Sequence, residues 1–222
     1  MHPAPPKHAA LGAVVVSILL SVAPAAADPL SDAEIKSRLA FIEARLKSGT
    51  AASNRWWDAW FYGWTAFTVT QAAVACATTD RGLRIDMAVG AVSSSLGVIP
   101  LGLFPLPSRH AAAKLAALPG ATPEDRRRKL GRAEHLLKES AEAEALGRSW
   151  FNHALGGAVS LGFGLLLGFA YKRPVAGVIN TLGGIALVEI QIFTQPTAAI
   201  DDFRTYQRFR LKADGLGVSG RF

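Results

Sequence analysis

Cysteine is nearly missing from these 222 residues: Cys76 stands alone. An intrachain disulfide framework, a CxxC redox site and a cysteine-rich zinc site are thereby excluded. Charge is scarce too. Only 18% of residues are Asp, Glu, Lys or Arg while 50% are hydrophobic; soluble domains carry roughly 25% charged residues. Disorder does not fit such a composition, whereas a lipid solvent does. Also missing are the patterns that carry chemistry: a Ser-His-Asp order, HExxH, a P-loop, a GxGxxG followed by an acid, and paired carboxylates at helical spacing. His110, His135 and His153 lie far apart, so no metal site, catalytic group or cofactor is expected. The length suits one domain, or one membrane unit with short arms, rather than a multi-domain enzyme.

What is present begins with a targeting signal. Lys7, an apolar run over residues 9–22 and Ala23-Pro24-Ala25-Ala26-Ala27 ahead of Asp28 form the three parts of a secretory signal peptide. Residues 1–27 are expected to be removed, leaving the chain to start outside the cytoplasm. An uncleaved anchor is the alternative, but the run is short for a span of about 20 residues.

Four apolar stretches follow, residues 57–78, 85–106, 154–171 and 175–194, charged only at Asp58, Asp86 and Glu189. Lengths near 20 match a helix rising about 1.5 Å per residue through a hydrocarbon core of about 30 Å. The expected fold is all-α, with four transmembrane helices in two antiparallel hairpins turning at residues 79–84 and 172–174. A soluble bundle with unusually apolar core helices is the alternative. Trp56, Trp57, Trp60 and Trp64 crowd the start of the first stretch and Trp150 precedes the third, as in a membrane-interface belt. Trp56, Trp60 and Trp64 also share a helical face, which could form an aromatic box for a cation or sugar.

The chain repeats itself weakly. Ser31-Asp32-Ala33-Glu34 and Thr122-Pro123-Glu124-Asp125 both read as capped helix starts. The same offset aligns Leu39 with Leu130, Ile42 with Ala133 and Leu46 with Leu137, an apolar face on each of two amphipathic helices. A small shift aligns Arg55 with Arg148 and Trp57 with Trp150, and a later one Pro100 with Glu189. Two tandem units are therefore expected, residues 28–108 and 109–197, each a surface helix followed by a transmembrane hairpin. Residues 198–222 form an amphipathic arm, suited to the membrane interface, and a tail.

The signal peptide puts the surface helices and the arm in the periplasm of a bacterial type of envelope and the chain in its inner membrane. The two turns are basic, with Arg81, Arg84, Lys172 and Arg173, yet the outside arms hold most of the other Lys and Arg residues, against a simple positive-inside count. The run Arg126-Arg127-Arg128-Lys129 opens a helix where the macrodipole prefers acids; it reads as a solvated face or as a contact for anionic headgroups or an acidic partner. Nucleic acid is not an expected partner.

Glu189 is the polar group of most interest, since an ionisable residue within a span faces a partner or a cavity. Folding the second hairpin about its turn brings it near His153, with Asn152 alongside, as a structural lock or as a site for a proton, a cation or a polar headgroup. In the first hairpin the same folding sets Thr68 and Gln71 against Ser94. Pro100 and Glu189 are expected to mark irregular backbone at one depth. The reading that follows is a non-enzymatic accessory or scaffold component of the cell envelope, partnered by membrane lipids and by an envelope protein or a second copy. A lipid or small-solute binding or transport module built on Glu189 and His153 is the alternative, and a membrane enzyme using the same groups comes third.

Overall fold

The computed structural model describes residues 30–213, with side chains through 210. The proposed signal peptide at residues 1–27 and the end of the C-terminal tail lie outside the described residues. The described chain is all-helical.

Helix α1 (Asp32–Ala77) starts where its cap predicts, with the Ser31 hydroxyl accepting from the Glu34 amide. It does not stop at Ser48-Gly49-Thr50. The hydroxyls of Ser48 and Thr50 fold back onto the carbonyls of Arg45 and Leu46 at 2.9 and 2.8 Å, so these residues are satisfied within the helix. Its 46 residues make a rod of about 69 Å, more than twice the hydrocarbon thickness. The expected surface helix and first span are thus one continuous helix, which corrects the two-part reading of the first unit.

Helix α2 (Arg81–Leu103), capped by Asp80, runs through Pro100 without a break. A 3-10 turn (Pro107–Arg109) and a short α3 (Ala111–Ala116) follow, neither foreshadowed by periodicity. Helix α4 (Pro123–Gly147) opens on the predicted capping box of Thr122 and Asp125. Helix α5 (Trp150–Leu165) ends in a π turn over Leu166–Ala170. Lys172 then takes the left-handed conformation, φ 55°, that more often falls to glycine. Helices α6 (Pro174–Thr194) and α7 (Ala198–Ala213) complete the chain. Irregular backbone thus lies at the end of α5; the expectation that it would fall at Pro100 and Glu189 is corrected, since α2 and α6 are regular helix.

Two environments divide these helices. The upper half of α1 packs with α3, α4 and α7 around Ile35, Ile42, Leu115, Leu136 and Leu137, all 1% exposed or less. The apolar faces aligned in sequence meet here: Leu39, Ile42 and Leu46 share one core with Leu130, Ala133 and Leu137. This is a head with a water-driven core. Helix α7 belongs to it, since Tyr206 is 2% exposed and its hydroxyl bonds the Glu134 carboxylate. The predicted amphipathic arm thus lays its apolar face on the head.

The remaining length of α1 pairs with α2, and α5 pairs with α6, as two hairpins. Among the described residues, every large apolar side chain that is exposed lies between Tyr62 and Phe104 or between Leu146 and Phe193. The hairpin interiors are instead small and polar. Gly164 packs on the backbone of Gly177, Gly184 on Ser160 and Gly156 on Val188, while Ser94 bonds Thr68 at 2.8 Å and Gln71 at 3.0 Å. Apolar outside and small or polar inside is the arrangement of helices solvated by lipid. Three stretches are long and apolar enough to cross a membrane: Arg81–Leu103, Trp150–Ala170 and Pro174–Arg210, the last beginning with α6. The lower half of α1 is not among them, diluted by its Thr, Gln and Tyr residues.

Candidate functional site

A cleft of about 1400 Å³ separates the two hairpins. Small-molecule pockets usually measure about 300–1,000 Å³, so this one has room for more than a compact metabolite. Its walls come from all four hairpin segments, among them Gly90, Leu96 and Gly97 of α2 and Leu155, Val159 and Leu187 of α5 and α6.

The cleft is fixed at both ends. At the turn end, Arg173 Nε and Nη2 donate to the two oxygens of Asp86 at 2.5 and 2.6 Å, tying the α5–α6 turn to α2. At the head end, the indoles of α1 reach across to α6: Trp56 donates to the Gln191 carbonyl at 3.2 Å, Trp64 to the Gln191 side chain at 3.0 Å and Trp60 to the Thr194 hydroxyl at 3.1 Å. Arg148 closes the C-terminus of α6 through the carbonyls of Ile192, Phe193 and Gln195. The indoles act as spacers: they join the hairpins at hydrogen-bond distance while holding the helix axes apart.

Within the cleft most polar groups are already engaged. Gln71 and Ser94 bond each other, and Asn152 donates to the Leu146 carbonyl at 2.7 Å. Asn180 and Ser93 also line it, and neither side chain has a hydrogen-bond partner among the described residues. The lining therefore offers long apolar walls with a small polar station partway along.

The predicted pair forms, with His153 Nδ1 2.8 Å from Glu189 Oε2. It does not line the cleft. Both side chains are about one-third exposed, with the His153 ring 5.6 Å from that of Phe193. Asn152 faces the cleft instead, so the structure divides the three residues between two surfaces.

The predicted interface tryptophans also divide. Trp150 is 79% exposed. Trp57 is half-buried, donates to the Leu101 carbonyl at 2.9 Å and carries the Arg109 guanidinium 3.7 Å above its ring; the same arginine pairs with Asp58 at 3.1 Å. The aligned residues Arg55 and Arg148 differ as well, since Arg55 is exposed with no ion pair among the described residues. The basic run is largely internal wiring. Arg126 pairs with Asp32 at 2.7 Å, Lys129 with Glu43 at 2.7 Å and Arg128 with Asp125 at 2.8 Å, and Arg127 alone of the four lacks a partner among the described residues.

Sequence reasoning missed Glu144, which joins head to hairpins. It is 1% exposed near the end of α4 and accepts from the Ala199 amide at 2.9 Å, capping α7. Burial pushes its carboxyl up from 4.5 to about 7, because the charged form loses its water. Nearby Asp201 and Asp202 push the same way, and the backbone donors oppose them.

The chain matches no protein-family model, no curated protein and no solved structure. Its functional reading therefore rests on the geometry.

Proposed function

We propose that this chain is a four-span membrane protein, a non-enzymatic component of the cell envelope, that holds a lipid-like amphiphile between its two hairpins. One observation carries the reading: a cleft of about 1400 Å³ with apolar walls, braced open by Asp86–Arg173 at one end and by Trp56 and Trp64 on Gln191 at the other. An apolar ligand with one hydrogen-bonding group suits this lining, with Asn180 and Ser93 supplying the polar contact. The fourth span is the lower half of α1. It pairs with α2 along its length and exposes Tyr62, Phe67 and Val69, which water would solvate poorly. With the signal peptide removed, the head lies in the periplasm.

Gly183 gives the test. It lines the cleft, and a Cβ placed there meets no atom within 4 Å, so Gly183→Leu fills space without disturbing the fold. Lipid extracted with the purified wild-type protein should be stoichiometric and should fall several-fold in Gly183→Leu. Equal lipid content in both proteins would remove the reading.

A second reading, an accessory subunit or scaffold, is favoured by the His153–Glu189 pair. An ionisable pair on an outer face at membrane depth is costly unless another protein or a second copy covers it. A stoichiometric protein partner that dissociates on Glu189→Gln, with cleft lipid unaffected, supports that reading.

A further inference from the structure

A second groove, of about 800 Å³, lies between α1 and α6 and shares Trp56 and Trp64 as a wall with the cleft. It begins at Arg55, passes Trp60 and Gly63, and reaches Phe67 of α1 and Leu187 of α6. We propose that it is a phospholipid site, with one acyl chain in the groove and the phosphate on Arg55.

Length supports this occupant. From Arg55 to Phe67 is twelve residues, about 18 Å of helix, close to the roughly 15 Å of one leaflet's hydrocarbon. Charge supports it at the matching end. Arg55 is exposed and has no ion pair among the described residues, and it sits above the level at which exposed apolar side chains begin, at Tyr62. A guanidinium at headgroup height presents a fork of donors that fits phosphate. The walls are preformed, because all three indole N–H groups are held by Gln191 and Thr194, leaving ring faces rather than donors towards the groove. Gly63 opens the groove midway, since a Cβ there meets nothing within 4 Å.

The indoles are natural reporters. Phosphatidylglycerol brominated on its acyl chains, added to the full-length protein in detergent, should quench tryptophan fluorescence along a saturating curve. Arg55→Gln should shift half-quenching roughly tenfold to higher lipid. On a Gly183→Leu background, in which the cleft is filled, Gly63→Leu should abolish the saturating component with circular dichroism unchanged, and Arg127→Gln, on the head, should behave as its parent. Curves identical to the parent's for Arg55→Gln and Gly63→Leu, or a shift in only one of these two variants, overturn the site. Because Gly63 does not line the cleft, failure here leaves the proposed function standing.

Discussion

Arg173 grips both oxygens of Asp86 across 87 residues of sequence, and by doing so fastens the turn of one hairpin to the first turns of the other. The geometry is bidentate, the strongest form of such a pair. It makes the width of the cleft at that end a property of two side chains.

Asp86→Asn and Arg173→Gln should each lower the melting temperature in detergent. The double variant should lower it no further than the worse single one, since both singles break the same contact. Additive losses in a double-mutant cycle would show that the two residues act separately.

Glycines at similar places in α5 should respond oppositely. A methyl on Gly164 would run into Thr181 and the Gly177 carbonyl, while one on Gly157 meets nothing within 4 Å. Gly164→Ala should cost about 2 kcal/mol through overpacking, and Gly157→Ala should be neutral or stabilise by up to about 1 kcal/mol through helix propensity. Unfolding in mixed micelles measures both.

Ser94 holds Thr68 and Gln71 together inside the first hairpin and is 3% exposed. Ser94→Ala should cost about 1 kcal/mol, the scale of interhelical bonds in membranes. Ser95→Ala should cost less, because the Ser95 hydroxyl bonds only its own helix, at the Val92 carbonyl.

Glu144 makes the docking of α7 depend on pH. Its folded carboxyl titrates near 7 against an ordinary 4.5, so the folded state holds the proton more tightly than the unfolded one. The contribution is greatest below about 4.5, declines as pH rises to about 7 and is level beyond, by at most about 3 kcal/mol. Hydrogen exchange in α7 should accelerate over that window in the wild type. In Glu144→Gln, which keeps an oxygen for the Ala199 amide, the rate should lose this pH dependence beyond the ordinary chemistry of exchange and be slower than wild type at pH 8.

The parts of this fold legible in sequence are those set by local periodicity and by folding a hairpin about a known turn. The helix starts at Ser31 and Thr122, the contact of Ser94 with Thr68 and Gln71, and the meeting of His153 with Glu189 all follow from such arithmetic. The continuity of α1 was hidden because its amphipathic first half and its apolar second half read as separate segments, and no local signal shows that one helix carries both. Half of the basic run has partners outside its own helix: the acids that pair with Arg126 and Lys129 are on α1, far upstream, and no local pattern announces them. The cleft was invisible because no single helix contains it. It exists through the reach of Trp56 and Trp64 to Gln191 and of Arg173 to Asp86, contacts between segments that periodicity treats separately.

The most direct measurement of the central claim is native mass spectrometry of the protein gently extracted from its own membrane, comparing wild type with Gly183→Leu and Glu189→Gln. The account predicts a lipid-sized mass on wild type and on Glu189→Gln that is missing from Gly183→Leu. Lipid lost from Glu189→Gln but kept by Gly183→Leu, or no bound lipid on any of the three, would contradict it.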